Sequence, residues 1–370
     1  MPHACFLKVH RMNNKPQINL VHFLAETKTS PSLIALVSAI ADACLAISAL
    51  TENGAIKNKY GKNIYGKLSS ENIQGETQAT LDVISDEIFT TRLAATGLVA
   101  GMVSEEVDLP IAVHNKSKQA EFLVVFDPLD GSSNVDVNVT IGSIFSVFKA
   151  PYKNNLSQAN LVEVDYLIAG KHQLAAGYAS YGPCTMLVIT LGHGTHGFTL
   201  NRATKEFILT HPNMQVPADS NEYAINSSNQ RFWEPPVKRY VTECKAGAAG
   251  RREKDFNMRW IGSMVADVHR ILMRGGIYLY PKDSKDTAKA GRLRLMYEAN
   301  PMAMLIEQAG GAASTGRVRM LDIEPEHIHQ RIPIIIGSKN EVAHVERLHK
   351  DFDKGNDEPF PLFNERTFYR

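Results

Sequence analysis

Residues 121–148 read EFLVVFDPLDGSSNVDVNVTIGSIFSVF, and the reading of the whole chain turns on this stretch. It opens with a continuous apolar run over 122–126, the pattern of a fully buried strand. The run breaks at Asp127-Pro128-Leu129-Asp130-Gly131-Ser132-Ser133-Asn134 and resumes as β-branched alternation over 135–147. Two carboxylates three residues apart at the end of a buried strand repel in low dielectric and raise each other's pKa. A divalent cation removes that cost. Pro128 fixes φ and withholds an N–H, which predicts that the strand stops in a stiff turn. Asp127 and Asp130 can then face one ion, with the Leu129 carbonyl as a further oxygen ligand. Gly131, Ser132 and Ser133 follow with successive N–H groups and hydroxyls, which suit a phosphate on that same metal. Hard cations such as Mg²⁺ share their oxygen ligands with substrate phosphates in this manner. Asp-Pro and Asp-Gly alone are ordinary turn chemistry. The buried strand before them and the Gly-Ser-Ser-Asn after them set this turn apart.

Working outward, 370 residues allow two domains, or one large one with two layers of core. With 40 basic and 39 acidic residues nothing demands a nucleic acid or an acidic membrane as partner, so any basic site for a phosphorylated substrate is local. Cys5, Cys44, Cys184 and Cys244 form no CxxC pair, which predicts reduced thiols and a cytoplasmic protein. The N-terminus lacks the pattern of a signal peptide. The most apolar segment, 33–50, is interrupted by Asp42 and several serines and falls short of a span of about 20 residues. It reads as a buried helix.

A first short apolar motif, 18–24, is a strand or a helical turn, and Pro31 starts a helix to about Ala49. Residues 57–70 read as a loop, and an amphipathic helix follows from about Glu76 to Ala95. Strands are predicted at 98–103, 166–169, 173–178, 185–191 and 198–200, then a boundary at 212–217. Beyond it, Trp260, Met264, Val268 and Leu272 fall on one helical face stopped by Gly275-Gly276, and 277–280 forms a strand ended by Pro281. Residues 293–297 are strand-like, and Asn300-Pro301 reads as a capped helix start matched by Gly310-Gly311. A strand at 332–337, a helix over 341–351 and a loosely held tail at 353–370 complete the chain.

The Asp127-Pro-Leu-Asp130-Gly-Ser-Ser motif resembles the signature of the lithium-sensitive, Mg²⁺-dependent phosphomonoesterases. With Asn134, Val135, Asp136 and the Thr140-Ile-Gly-Ser-Ile-Phe145 strand, it is similar to the class I fructose-1,6-bisphosphatases, over roughly residues 18–350. The resemblance implies an α/β fold, layered as an α-β-α-β-α sandwich in two halves. These are a metal- and phosphate-binding half, 1–212, with a regulatory first helix, and a sugar-phosphate-binding half, 213–352. It further implies that Glu105, Asp127, Asp130 and Glu298, with the Leu129 carbonyl, hold more than one Mg²⁺ per subunit, with Mn²⁺ as a substitute. Without it, Glu105-Glu106 would be a surface turn and Glu298 a first-turn glutamate favouring a helix dipole. Asp82 and Glu106 correspond to the pair that activates the attacking water, with Glu76 a nearby acidic position.

For the substrate's remote phosphate the candidates are Asn226, Arg259, Tyr280 and Arg294, with Met264 in the same segment as Arg259. Arg259 resembles the arginine that crosses into a neighbouring subunit's site, which implies a homotetramer. Trp260 and Arg292 stand where many relatives have tyrosine and lysine, and Arg keeps the charge but not the point-like geometry. The implied reaction is attack of a metal-activated water on the 1-phosphate of D-fructose 1,6-bisphosphate, in gluconeogenesis or the Calvin cycle. The alternatives are a sedoheptulose-1,7-bisphosphatase, a dual-substrate enzyme, or a catalytically silent sugar-phosphate-binding regulator. Where animal relatives bind AMP, this chain has Ser30-Pro31-Ser32-Leu33 and Glu121-Phe122, and a carboxylate at 121 would repel a nucleotide phosphate. His193-Gly-Thr-His196 reads as a Gly-rich turn, and Arg251-Arg252-Glu253-Lys254 as a solvated loop.

Overall fold

The structure, a computed structural model, describes residues 17–52, 67–71, 77–113, 120–151, 161–287 and 290–356. Glu76, the loop expected at 57–66 and the tail beyond 356 lie outside them. The first half runs α1 Leu20–Glu26, α2 Pro31–Thr51, β1 Lys67–Glu71, β2 Thr77–Ala79, α3 Thr80–Ala95, β3 Val99–Ser104, β4 Ile111–Ala112, β5 Phe122–Asp130 and β6 Ile141–Lys149. It closes with β7 Ala175–Tyr181, β8 Thr185–Thr190, β9 Thr195–Asn201 and β10 Glu206–Met214. The second half runs β11 Glu222–Ile225, α4 Pro235–Lys245, β12 Asn257–Met258, α5 Met264–Arg274, β13 Ile277–Tyr280 and β14 Leu293–Arg294. It ends with α6 Asn300–Gln308, β15 Ala312–Ser314, β16 Arg331–Ile332, β17 Ile334–Gly337 and α7 Lys339–Asp353.

Eight strands form one sheet in the order β10-β9-β8-β7-β6-β5-β3-β4, and five form a second in the order β12-β11-β13-β17-β15. In the large sheet only β3 and β5 pair parallel, Val103 opposite Val125. Alternation along each strand assigns its two faces to different cores. Phe122, Val124 and Phe126 pack with Leu36, Ile40, Leu81 and Phe89 of α2 and α3. On the other face Ile144, Ala176, Tyr178 and Val188 meet α5 and α6, and these helices also bury Ala224, Tyr278 and Ile336 of the small sheet. The far face of the small sheet, Tyr223, Ile225, Leu279 and Ile335, is covered by α4 and α7. The order of layers is therefore α-β-α-β-α, the architecture the resemblance implied.

Helix α2 has 21 residues and is long and apolar enough to cross a membrane by length and composition, against the reading that it falls short. Nine of its residues are buried, eight of them in the first core, so within this fold it is a core helix. Several expected boundaries move. The span 57–70 contains β1, and α3 begins at Thr80, after β2, rather than near Glu76. Tyr166 ends a 3₁₀ turn, Glu163–Tyr166, in place of the strand expected at 166–169. The boundary expected at 212–217 is crossed by β10, which runs through Pro212 at the edge of the sheet, where a missing N–H costs no ladder bond. Trp260 precedes α5, whose N-cap is Ser263. Pro333 splits the strand expected at 332–337 into β16 and β17.

Candidate active site

Strand β5 does not end at Pro128. It continues to Asp130 through a register shift between Asp127 and Asp130 against β6, and the resumed strand starts at Ile141 rather than at 135. A bulge at this point absorbs the proline and turns both aspartates to the same place. The Leu129 N–H donates to Asp127 Oδ1 at 2.9 Å, which sets the turn. Gly131 takes φ +78°, a conformation costly for a residue with a Cβ, and starts the 3₁₀ turn Ser132–Asn134.

The third carboxylate comes from the second half. Residues 295–299 form a π-helical turn that flows straight into α6, so Asn300 is helical and fully buried and does not cap. In that turn Glu298 Oε2 accepts from the Arg294 N–H at 2.5 Å. Carboxylate oxygens of Asp127, Asp130 and Glu298 all lie within 4.8 Å of one another, and all three residues are buried. Burial raises the Asp127 carboxyl well above its ordinary range, and Glu105, Asp130 and Glu298 add to it by like-charge repulsion. Glu298 is raised in the same way, although the Arg294 guanidinium pulls against it. Asp130 is raised to about 6, mainly by burial, even though it accepts from the Ser263 hydroxyl at 3.0 Å and the Val265 N–H at 2.9 Å at the start of α5. Glu105, at the end of β3, pairs with Arg294 at 2.9 Å.

This donor set fits a divalent metal. The oxygens are hard, they converge, and without a cation they are held against their own ionisation. Asp82, Glu105, Glu106, Asp127, Leu129, Asp130 and Glu298 line a cleft of about 550 Å³ together with Gly131, Ser132 and Ser133. The same cleft carries Asn226, Met264, Tyr280, Arg292 and Arg294. Of the expected site residues that the structure describes, only Arg259 is not among them; Glu76 lies outside the described residues. Arg259 is half-exposed, its Nε 3.7 Å from Glu222, and its N–H donates to Tyr223 O at 2.8 Å.

The reading of the residues missed Ser263, Tyr278, Asp283 and Arg331. Tyr278 and Arg331 line the cleft, and Tyr278 stacks on Trp260 with ring planes 1° apart. Arg331 Nη1 donates to the Arg292 carbonyl at 2.7 Å, and Asp283 Oδ1 takes Arg292 Nη2 at 3.3 Å. A serine just before the apolar period of α5 was a legible cap signal for Ser263. Nothing local marks Asp283 or Arg331, because their roles arise across the fold.

At the AMP-like position, the Glu121 carboxylate bonds to both Ser32 Oγ and Lys149 Nζ, and the lysine holds it below the usual carboxylate range. His193 and His196 lie beside Phe23 and Leu191 in an apolar pocket.

A two-sheet sandwich with buried converging carboxylates beside a glycine-serine turn defines a metal-dependent phosphomonoesterase. Residues 19–212 and 216–350 match the family models for the N-terminal and C-terminal domains of fructose-1,6-bisphosphatase. A Methylibium petroleiphilum protein named fructose-1,6-bisphosphatase class 1 3 is 50% identical over 355 residues, 95% of this chain and 97% of that one. The holo form of Leishmania major fructose-1,6-bisphosphatase superposes with a TM-score of 0.83 at 36% identity, covering 91% of this chain and 100% of that one. Its apo form gives 0.78 at 34% identity, covering 90% and 99%. The chain belongs to the class 1 fructose-1,6-bisphosphatase family.

Proposed function

We infer that the protein hydrolyses D-fructose 1,6-bisphosphate to fructose 6-phosphate and phosphate. The observation that carries this is one cleft that holds a buried carboxylate cluster, a glycine-serine turn and Arg294, which pairs with Glu105, together with Asn226, Tyr280 and Arg292. A bisphosphate needs both. Asp127, Asp130, Glu298 and Glu105, with the Leu129 carbonyl, would hold divalent ions, with Mg²⁺ the chemically favoured species and Mn²⁺ a substitute. Bound there, the ions supply charge neutralisation at the phosphoryl oxygens and acidify water.

The chain's own groups do the rest. Gly131, Ser132 and Ser133 orient the reacting phosphate through N–H and hydroxyl donors. Arg292 holds the remote phosphate, whereas Arg294, expected there too, is paired with Glu105 at the carboxylate cluster, and Trp260, Tyr278 and Tyr280 form an aromatic wall beside the sugar. Asp82, buried on α3, and Glu106, half-buried after β3, accept the proton of the attacking water, a role worth roughly 10²–10⁴-fold. The P–O bond to the sugar breaks as the water oxygen adds. The buried free thiols of Cys44 and Cys244 support a cytoplasmic setting, and the exposed Arg259 supports an oligomer in which it serves a neighbouring site.

Phosphate release from fructose 1,6-bisphosphate and sedoheptulose 1,7-bisphosphate, each with Mg²⁺ and with chelator, tests the reading. Mg²⁺-dependent release from the fructose ester, lost in Asp127→Asn, is expected. Metal binding without release from either sugar would make the protein a regulator instead.

A further inference from the structure

A second charged cleft, of about 560 Å³, opens between α4 and α7, and shares no lining residue with the catalytic cleft. Four arginines line it, Arg239, Arg251, Arg252 and Arg347. Among the acids near them, Asp351 also lines the cleft and is half-buried, while two others are sunk beneath. Glu243 is 3% exposed and takes Arg239 Nε at 3.2 Å on one oxygen and His344 Nε2 at 2.7 Å on the other. Glu341, 1% exposed, takes Arg252 Nη2 on both oxygens, at 2.7 and 2.8 Å. The Arg252 guanidinium also lies over the rings of Tyr240 and Phe256, at 5.7 and 4.8 Å. Arg239 and Arg252 are thus pinned before any ligand arrives.

Arg347 differs. It is exposed, and its Nη2 donates to His344 Nδ1 at 2.5 Å. No carboxylate pairs with Arg347 among the described residues, and its full charge stands at the mouth of the cleft.

We propose that this cleft binds a small organic oxyanion carrying at least two negative charges, at a site separate from the catalytic one. The planar guanidinium fork matches phosphate and carboxylate bidentately. The volume lies within the range of about 300–1,000 Å³ typical of small-molecule sites. Because Arg239 and Arg252 are already ordered, binding immobilises little beyond the exposed Arg251 and Arg347.

Calorimetric titration of the full-length protein with inorganic phosphate tests this, with the double variant Arg251→Ala/Arg347→Ala and the catalytic-cleft variant Arg292→Ala alongside. Wild type is expected to show two binding events. The double variant loses one of them at least tenfold in affinity with unchanged kcat and KM, and Arg292→Ala keeps that same event. Arg347→Glu, which alters one exposed side chain, weakens it as well. Glycerol phosphate and malonate as competitors then separate a phosphate ester from a dicarboxylate as the class bound. Identical isotherms for wild type and the double variant would overturn the proposal and leave the catalytic reading intact. Loss of sugar-phosphate hydrolysis in wild type would strike that reading and not this one.

Discussion

Asp127 is the residue on which function and stability conflict. It is fully buried, and Glu105, Asp130 and Glu298 repel its carboxylate. Asp127→Asn removes a repelling charge without removing volume. The metal-free variant is therefore expected to be more stable than the metal-free wild type. Its activity should fall by about 10³-fold, comparable to loss of a principal electrostatic group. Chemical denaturation in chelator and phosphate release in Mg²⁺ measure the two, and an equally stable or weaker variant would contradict the charge argument. Asp130 adds a pH dependence. Its folded carboxyl titrates at about 6, above its ordinary value, chiefly through burial. A raised carboxyl favours the protonated fold, so its contribution to metal-free stability is present at low pH and lost as pH rises through about 6. Metal binding must expel that proton, so divalent affinity should rise steeply between pH 5 and 7 with proton release in calorimetry. Flat affinity across that window would refute it. Arg292 is positioned by Asp283 at 3.3 Å and through its carbonyl by Arg331. Asp283→Ala should raise KM about tenfold, a cost of about 1.4 kcal/mol, with kcat within twofold. A fall in kcat alone would place Asp283 elsewhere. Asp127 and Asp130 were legible from the residues because they close an apolar run, whereas Glu105, Glu298, Asp82 and Glu106 were legible only through the family resemblance. Asp283 and Arg331 were not, since each acts on a partner brought to it by sheet pairing and loop packing.

At the scale of elements, two irregularities build the site: the bulge in β5 and the π-turn before α6. Both were misread as breaks between regular elements. Pro128 announces a turn, and only the pairing with β6 reveals that the strand survives it. Asn300-Pro301 carries the composition of a helix start, yet the backbone is already helical at Ala299. Across that turn the Arg294 N–H donates to the Glu298 carboxylate, a contact that helix-start composition does not announce. Helix α5 shows the converse, a device that was partly readable. Ser263 caps α5 through the Ala266 N–H at 3.4 Å and also donates to Asp130. Ser263→Ala should cost about 1 kcal/mol of stability, a typical cap loss, and weaken divalent binding as Asp130 loses a donor that holds its oxygen in place. A denaturant midpoint and a metal titration on one preparation check both effects. An unchanged metal affinity would restrict Ser263 to capping.

At the scale of the molecule, the five layers explain why a site drawn from both halves is rigid. Helices α5 and α6 are shared by the two sheets, so β5, α5 and the π-turn meet across a single core. Arg259 is the one described candidate that this core leaves out. It directly follows β12 at the edge of the small sheet, and its side chain is half-exposed near Glu222 rather than in the cleft. If Arg259 completes a site on a neighbouring copy, Arg259→Ala should raise KM in the homo-oligomer while leaving the carboxylate cluster intact. Asp127→Asn homo-oligomers should be inactive. Co-assembling the two variants then decides between a site completed within one chain and one completed between chains. A subunit with Asp127 intact but lacking its own Arg259 can receive the arginine of an Asp127→Asn neighbour. Mixed oligomers should therefore regain a population of sites with wild-type KM, in proportion to the mixed interfaces formed. If Arg259 acts within its own chain, or on no substrate at all, the mixture shows only the KM of Arg259→Ala, diluted by inactive subunits.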